Sequence, residues 1–354
     1  MNYTSEEQNL IVLSSISAIT YRERYAALSA LASVTPDFSL CKNLLIKRCG
    51  VGVYNKVVDT FNDCSFRDGV FKELEKRNVQ CVTLASPDYP ELLKQIDSPP
   101  INLFIKGNRE LLKSRFFSIV GSRRTNYYAL AECGKFARAL SGAFTLVTGS
   151  ATGADCAVLN GVGGRAVSVI AHGFDSIDFI SERSTLEKVE KYGLLISEHY
   201  PTVVPQSFLY PVRNRIIAGM SVGTLVVSAG KKSGALITAD YASEYGREVF
   251  AFPYNLGVTS GVGCNNLIRD GANLCGDPLD ICSVLGVDLK PSSETSLTEE
   301  ERKVAAILKE QGEVFIPKLS ETLKIPTYKL TAVLSSLEIK GLATRLGGNR
   351  YGAV

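Results

Sequence analysis

Two short apolar runs that each break at a glycine restrict this chain to an α/β fold. They are Phe117-Ser118-Ile119-Val120-Gly121-Ser122-Arg123-Arg124 and Thr145-Leu146-Val147-Thr148-Gly149-Ser150-Ala151-Thr152-Gly153-Ala154-Asp155. A run of this length reads as a buried parallel strand. The break at glycine lets backbone N–H groups face an anion with no Cβ in the way. Between the runs, Leu130, Cys133, Phe136, Ala137 and Leu140 recur at helical spacing over 127–140. The result is a β-α-β unit, whose right-handed crossover sets both glycine loops at the carboxyl ends of neighbouring strands. Loops carrying Gly121, Ser122, Arg123 and Arg124 beside Gly149, Thr152 and Gly153 are suited to gripping phosphate. The plainer alternative is that the glycines only let strands turn into helices.

The rest of the chain fits this frame. Further strands are expected at 166–171, 194–197, 223–228 and 248–252, with a helix at 184–192, which makes residues 113–285 an extended Rossmann-like, doubly wound sheet. Residues 1–85 carry helical patterns, including Leu10, Val12, Leu13, Ile16 and Ile19 on one face and Tyr25, Leu28, Leu31 and Ala32 on another. Helical segments at 40–49 and 52–62 follow, separated by Gly50-x-Gly52. That pair reads as an interhelical turn or as a backbone clamp on DNA phosphate. A proline-dense connector, 86–112, with a short strand at 103–105, leads into the sheet. A polar linker, 286–296, leads out of it. From 297 to 354 a capping box at Thr298 and Glu301, helices at 299–310, 317–323 and 327–340, and a terminal hairpin turning at Gly347-Gly348 suggest a winged helix.

Composition narrows the classes of function. At 354 residues, with 45% hydrophobic and 21% charged residues, the chain suits a multidomain globular protein. The net charge of +3 advertises no global basic field, so any nucleic-acid site must be local. Nine cysteines form no CxxC pair, and two histidines offer no metal-ligand spacing. No catalytic residues, metal or cofactor are expected. The odd cysteine count without a signal peptide points to reduced thiols in the cytoplasm. No run of about 18 apolar residues suggests a membrane span.

Two downstream stretches add polar groups to the same end of the sheet. Arg213, Asn214 and Arg215 follow Tyr210-Pro211 at the expected start of a helix. They are read either as forked phosphate donors or as structural groups bonding loop carbonyls and acids. Lys231, Lys232, Ser233 and Gly234 leave a strand and open a helix, but the full G-x-x-x-x-G-K-[ST] pattern is absent, so nucleotide hydrolysis has little support. Gly149-x-x-x-Gly153 lacks the first turn of a dinucleotide fingerprint. Asp155 is expected to bond neighbouring N–H groups, and His172 and His199 have no nucleophile paired with them.

Taken in order, these pieces resemble the DprA/Smf family, the DNA-processing proteins of bacterial natural transformation. The resemblance rests on Ile119-Val120-Gly121-Ser122-Arg123, Thr148-Gly149…Gly153-x-Asp155, Ser197-Glu198, Arg213-Asn214-Arg215-Ile216-Ile217-Ala218-Gly219 and Ser233-Gly234-Ala235-Leu236-Ile237-Thr238. It continues through Gly246-Arg247-Glu248-Val249-Phe250-Ala251-Phe252-Pro253 and Cys264-Asn265-Asn266-Leu267-Ile268-Arg269-Asp270-Gly271-Ala272. It implies an N-terminal SAM-like helical domain, the extended Rossmann domain and a C-terminal winged helix. It further implies a non-enzymatic homodimer that binds single-stranded DNA and loads the RecA recombinase. Arg123 then stands as the phosphate-binding arginine, with Gly121, Ser122, Gly149 and Gly153 as close-approach backbone. The chain departs from the family pattern at Thr152, where a Lys or Arg is usual, and at Leu159, Ala171 and Tyr254. The loss of the basic residue weakens the phosphate contact. Arg124, Lys231 or Lys232 could compensate, and Phe208 and Tyr210 could stack bases. The alternatives are a nucleotide-ligand enzyme or sensor on the same fold, and a protein-interaction paralogue with weak DNA affinity.

Overall fold

The computed structural model describes residues 3–17, 19–26, 38–289, 298–339 and 342–353. Leu28, Leu31 and Ala32, and residues 290–296 of the expected linker, lie outside the described residues. Residues 1–288 form one compact unit and 289–354 a second.

The first unit is organised by a nine-stranded sheet among the described residues. Its strands are β1 (Gln80–Thr83), β2 (Asn102–Gly107), β3 (Phe116–Gly121), β4 (Thr145–Thr148), β5 (Val167–Ile170), β6 (Leu194–Ser197), β7 (Gly223–Ser228), β8 (Glu248–Ala251) and β9 (Asn273–Leu274). They lie in the order β1-β2-β6-β5-β4-β3-β7-β8-β9. From β6 to β9 every pairing is parallel. The chain winds outward from β3 through β4, β5 and β6, then returns and winds the other way through β7, β8 and β9. Right-handed crossovers therefore put the two sets of helices on opposite faces, and the reversal of winding falls between β3 and β7.

Alternation within β3 shows how both faces become core. Phe116 and Val120 join the cluster that holds Ile216, Ile217, Ala235 and Ala239 from helices Leu209–Met220 and Gly234–Glu244. Phe117 faces the other way, where its ring packs with Phe144 and Phe250. Helix Tyr127–Leu140 starts where Asn126 accepts a hydrogen bond from the Ala129 N–H at 2.8 Å, and it buries Cys133, Phe136, Ala137 and Leu140. Those are four of the five positions that its spacing picks out; the fifth, Leu130, is half-buried.

The structure corrects one boundary. Residues 86–112 are more than a connector, because β2 pairs antiparallel with both β1 and β6, with Phe104 opposite Cys81 on one side and Ser197 on the other. A domain edge at residue 85 would cut that hydrogen-bonded pair, so the sheet begins at Gln80. The prolines shape the intervening turn, which the Tyr89 hydroxyl ties by donating to the Pro100 carbonyl at 2.7 Å.

Ahead of the sheet lie helices Ser5–Ser15, Tyr21–Ala26, Lys42–Cys49, Val51–Asn62 and Cys64–Lys76. Leu13, Ile16, Phe38, Leu45, Val57 and Phe61 share a core. Gly50 adopts φ 83° at the start of helix Val51–Asn62 and Gly52 lies inside that helix, which is the geometry of an interhelical turn. The Ser86 hydroxyl donates to Glu7 at 2.6 Å, anchoring the first helix beside the end of β1.

The second unit has helix Glu299–Gln311, β10 (Glu313–Phe315), helices Ile316–Leu323 and Thr327–Ile339, and the pair β11 (Ala343–Leu346) and β12 (Arg350–Ala353). Thr298 and Glu301 form the capping box. The three helices and the terminal strand pair lie where their sequence patterns put them, closed by their own core around Leu308, Leu319, Leu334 and Tyr351.

Candidate functional site

The carboxyl ends of β3, β4 and β7 converge where the winding of the sheet reverses, which is where open α/β sheets hold ligands. Ser228, the last residue of β7, fastens the first loop: its carbonyl and its hydroxyl oxygen each accept the Ser122 N–H at 3.0 Å. The Thr125 hydroxyl donates to the Ser122 carbonyl at 2.8 Å and also meets the Ser228 hydroxyl. Side-chain hydroxyls stitch the neighbouring strand ends in the same way. Thr148 donates to the Ile119 carbonyl and Ser168 to the Gly149 carbonyl, each at 2.7 Å. The loops are thus held before any ligand arrives.

The two loops close on each other because of glycine at two positions. Gly153 adopts φ 80°, and a Cβ there would meet the carbonyl oxygens of Ser122 and Arg123 at 2.5 and 2.7 Å. A Cβ on Gly149 would meet the Asp155 carboxylate and the Arg213 guanidinium. Both glycines make room for the protein's own groups.

A groove of about 400 Å³ opens over these loops. Gly121, Ser122, Arg123, Arg124 and Gly149 line it, with Tyr210, Arg213 and Asn214 from helix Leu209–Met220 and Ser233 and Gly234 at the start of helix Gly234–Glu244. The structure thus brings nine of the fourteen expected site residues, and the Tyr210 ring, to one place from four separate stretches of chain. Arg123 and Arg124 are exposed, and the Arg123 guanidinium lies over the Tyr210 ring at 5.4 Å. The Ser233 hydroxyl oxygen accepts the Ala235 N–H at 3.4 Å, capping the helix as expected for that position, and Asn214 donates its side-chain amide to the Gly234 carbonyl at 3.2 Å. Helix N-termini and guanidinium groups on a shared wall favour an anion.

Other expected residues lie elsewhere. Arg215 is not a groove residue: it is 2% exposed and pairs with Glu198 at 2.7 Å, so it takes the structural of its two possible roles. Burial works to raise the Glu198 carboxyl, and Arg215 more than offsets this, leaving it below the usual carboxylate value. Arg213 reaches the groove but is itself buried; it donates to the Val169 carbonyl and has Asp155 nearby. Asp155 accepts from the Ala151 N–H at 3.0 Å and the Thr148 hydroxyl at 3.1 Å, which fixes the second loop. Lys231 and Lys232 are exposed on the loop after β7, outside the groove wall. Thr152 and Gly153 are likewise absent from that wall. Thr152 instead lines a second cavity of about 320 Å³ that shares Arg123, Ala151 and Tyr210 with the groove.

The residues that sequence reasoning missed are Ser228, Thr125 and Glu182. Ser228 closes a strand that pairs with β3 only across the reversal, so no local pattern marks it. Glu182 sits on the second cavity beside Thr152 and His172.

A family model for DNA recombination-mediator protein A matches residues 80–286, more than half of the chain, and starts with β1. The chain belongs to this family. Among DNA recombination-mediator A relatives, Protein Smf of Synechocystis is 38% identical over 211 residues, covering 57% of this chain and 53% of that protein. DNA processing protein DprA of Bacillus subtilis is 36% identical over 217 residues, covering 60% of this chain and 73% of its own length. The chain therefore spans about half the length of the first relative and about three quarters of the second. The solved DNA processing protein A of Streptococcus pneumoniae superposes with a TM-score of 0.69 at 28% identity, over 80% of this chain and 98% of that one. The corresponding Helicobacter pylori protein, solved for its single-stranded DNA binding mode, has a TM-score of 0.54 at 24% identity and supports the fold. No helix among the described residues is long and apolar enough to cross a membrane.

Proposed function

We propose that this member of the family is a single-stranded DNA-binding protein and that the groove at the β3–β7 reversal is where the strand lies. The observation carrying this reading is the placement of exposed Arg123 over Tyr210, on a wall that also presents Arg124 and the Gly234 helix N-terminus. The cations meet phosphates and the ring offers a face on which a base can stack. The groove binds without chemistry, as fits a recombination mediator. Family membership extends the proposal to a DNA-processing role in transformation, with a homodimer loading RecA recombinase in the cytoplasm. The test is Arg123→Glu, measured by fluorescence anisotropy on a labelled oligo-dT at moderate salt. Reversing one charge beside the strand should weaken binding at least about tenfold, with thermal unfolding nearly unchanged because Arg123 is exposed. Unchanged affinity would remove the groove from consideration.

A further inference from the structure

Helix Tyr127–Leu140 opens with two adjacent tyrosines that the groove does not use. Tyr127 is 83% and Tyr128 74% exposed, and among the described residues neither ring packs on another ring or on a cation. Single exposed aromatics are ordinary on a protein surface, but this pair sits where the first loop ends. The Ser122 hydroxyl oxygen accepts the Arg124 N–H at 3.1 Å and Asn126 caps the helix, so the loop that leads to the pair is fixed. Arg124 is exposed on the groove wall, and the three residues from it to Tyr127 span at most about 11 Å. Tyr128 also lines a separate cavity of about 420 Å³ that shares no residue with the groove. Its wall is largely aromatic: the Phe136 and Phe252 rings meet edge to face at 4.7 Å, and the Tyr254 hydroxyl donates to the Val227 carbonyl at 2.6 Å. Glu132 is the one carboxylate lining it, and Lys135 donates to that group at 3.0 Å, which offsets its repulsion of a passing phosphate.

Resting on the reading of the groove as a single-strand site, we propose that the strand continues out of the groove over Arg124, and that Tyr127 and Tyr128 form a separate stacking platform for the nucleotides that follow. A strand alternates phosphate and base, so it needs a cation and then an aromatic face along its path. Arg124 followed by the two tyrosines supplies them in that order, and the open cavity leaves room beside the Tyr128 ring. The platform is tolerant of sequence, because every base has a face to stack. It lengthens the site without adding a phosphate contact.

The full chain is titrated with labelled oligo-dT strands of increasing length, and each variant is compared with the native chain at equal length. Tyr127→Ala combined with Tyr128→Ala should match the native chain on the shortest strands that bind and fall behind it on long ones, by at least about fivefold. The salt dependence should stay the same, since no phosphate contact is lost. Tyr127→Phe with Tyr128→Phe should restore long-strand affinity and leucine at both positions should not, which separates stacking from general apolar contact. The chain has no tryptophan, so Tyr128→Trp adds a single reporter whose fluorescence long strands should quench and the shortest should not. Thermal unfolding checks that every variant is folded. An alanine variant equal to the native chain at every length, or full rescue by leucine, would overturn the inference and leave the groove assignment standing. If no strand bound the native chain, the groove reading itself would fail and this inference with it.

Discussion

At the scale of single residues, charge decides more than geometry. Thr152 shows this, because its loop is held correctly by Asp155 and Gly153 yet carries no cation. Thr152→Lys should tighten single-strand binding and steepen its salt dependence, by at most about one phosphate contact. Glu182 lines the same cavity and would claim part of the new charge, so the gain should be larger in Thr152→Lys combined with Glu182→Gln. Salt titrations of both variants check this, and a flat response in each would place Thr152 off the path of the strand. Arg123 and the glycines were legible in the sequence because each sits in a local pattern of strand, glycine and helix. Arg215 was not, since nothing local separates a groove arginine from one that finds a buried glutamate 17 positions away.

Elements behave as units because their ends are tied together. His172 follows β5 and His199 follows β6, and burial holds both imidazoles below their usual value, the Gly173 carbonyl and Glu198 opposing it only in part. The unfolded chain takes up these protons near about pH 6.5 and the folded chain does so only at lower pH. The unfolded state therefore binds more protons in that window, and stability falls as pH drops below about 6.5, by at most about 1.4 kcal/mol per pH unit for each imidazole. Thermal unfolding between about pH 7.5 and about pH 5.5 should show this loss. A chain with both histidines replaced by asparagine should show less of it, and identical slopes would mean the imidazoles do not carry the effect. The strands themselves were readable from apolar runs bounded by glycine. The antiparallel pair β1 and β2 was harder to place, because prolines separate the two strands and the partnership of β2 with β6 is set by distant sequence.

For the whole molecule, the two units have separate cores, so removal of one need not disturb the other. Residues 297–354 carry nine Lys or Arg against seven Asp or Glu, a balance too even for an autonomous DNA reader. A chain ending at Asp288 should keep most of its affinity in a gel-shift titration, within about threefold, since that difference is well under one phosphate contact's worth of salt-dependent binding. Loss of binding by a truncated chain that circular dichroism shows to be folded would transfer the main contact to the second unit. The division into a helical layer, a sheet and a small terminal unit was visible from changes in periodicity. The exact edge of the sheet was not, because hydrogen bonds between remote strands leave no mark on composition.

The central position of β3 also governs how the protein is made. Ser118 on β3 and Thr224 on β7 join hydroxyls at 2.7 Å across 106 positions of sequence. During synthesis β3 leaves the ribosome early and can pair with β4 soon after, but its other edge stays open until β7 has been translated. β2 waits in the same way for β6. At about 5–20 residues per second this leaves hydrogen-bonding edges bare for roughly five to twenty seconds. Unpaired edges of that kind recruit other strands, so the arrangement that places the groove at the middle of the sheet also makes the nascent chain dependent on prompt completion or on a chaperone's cover.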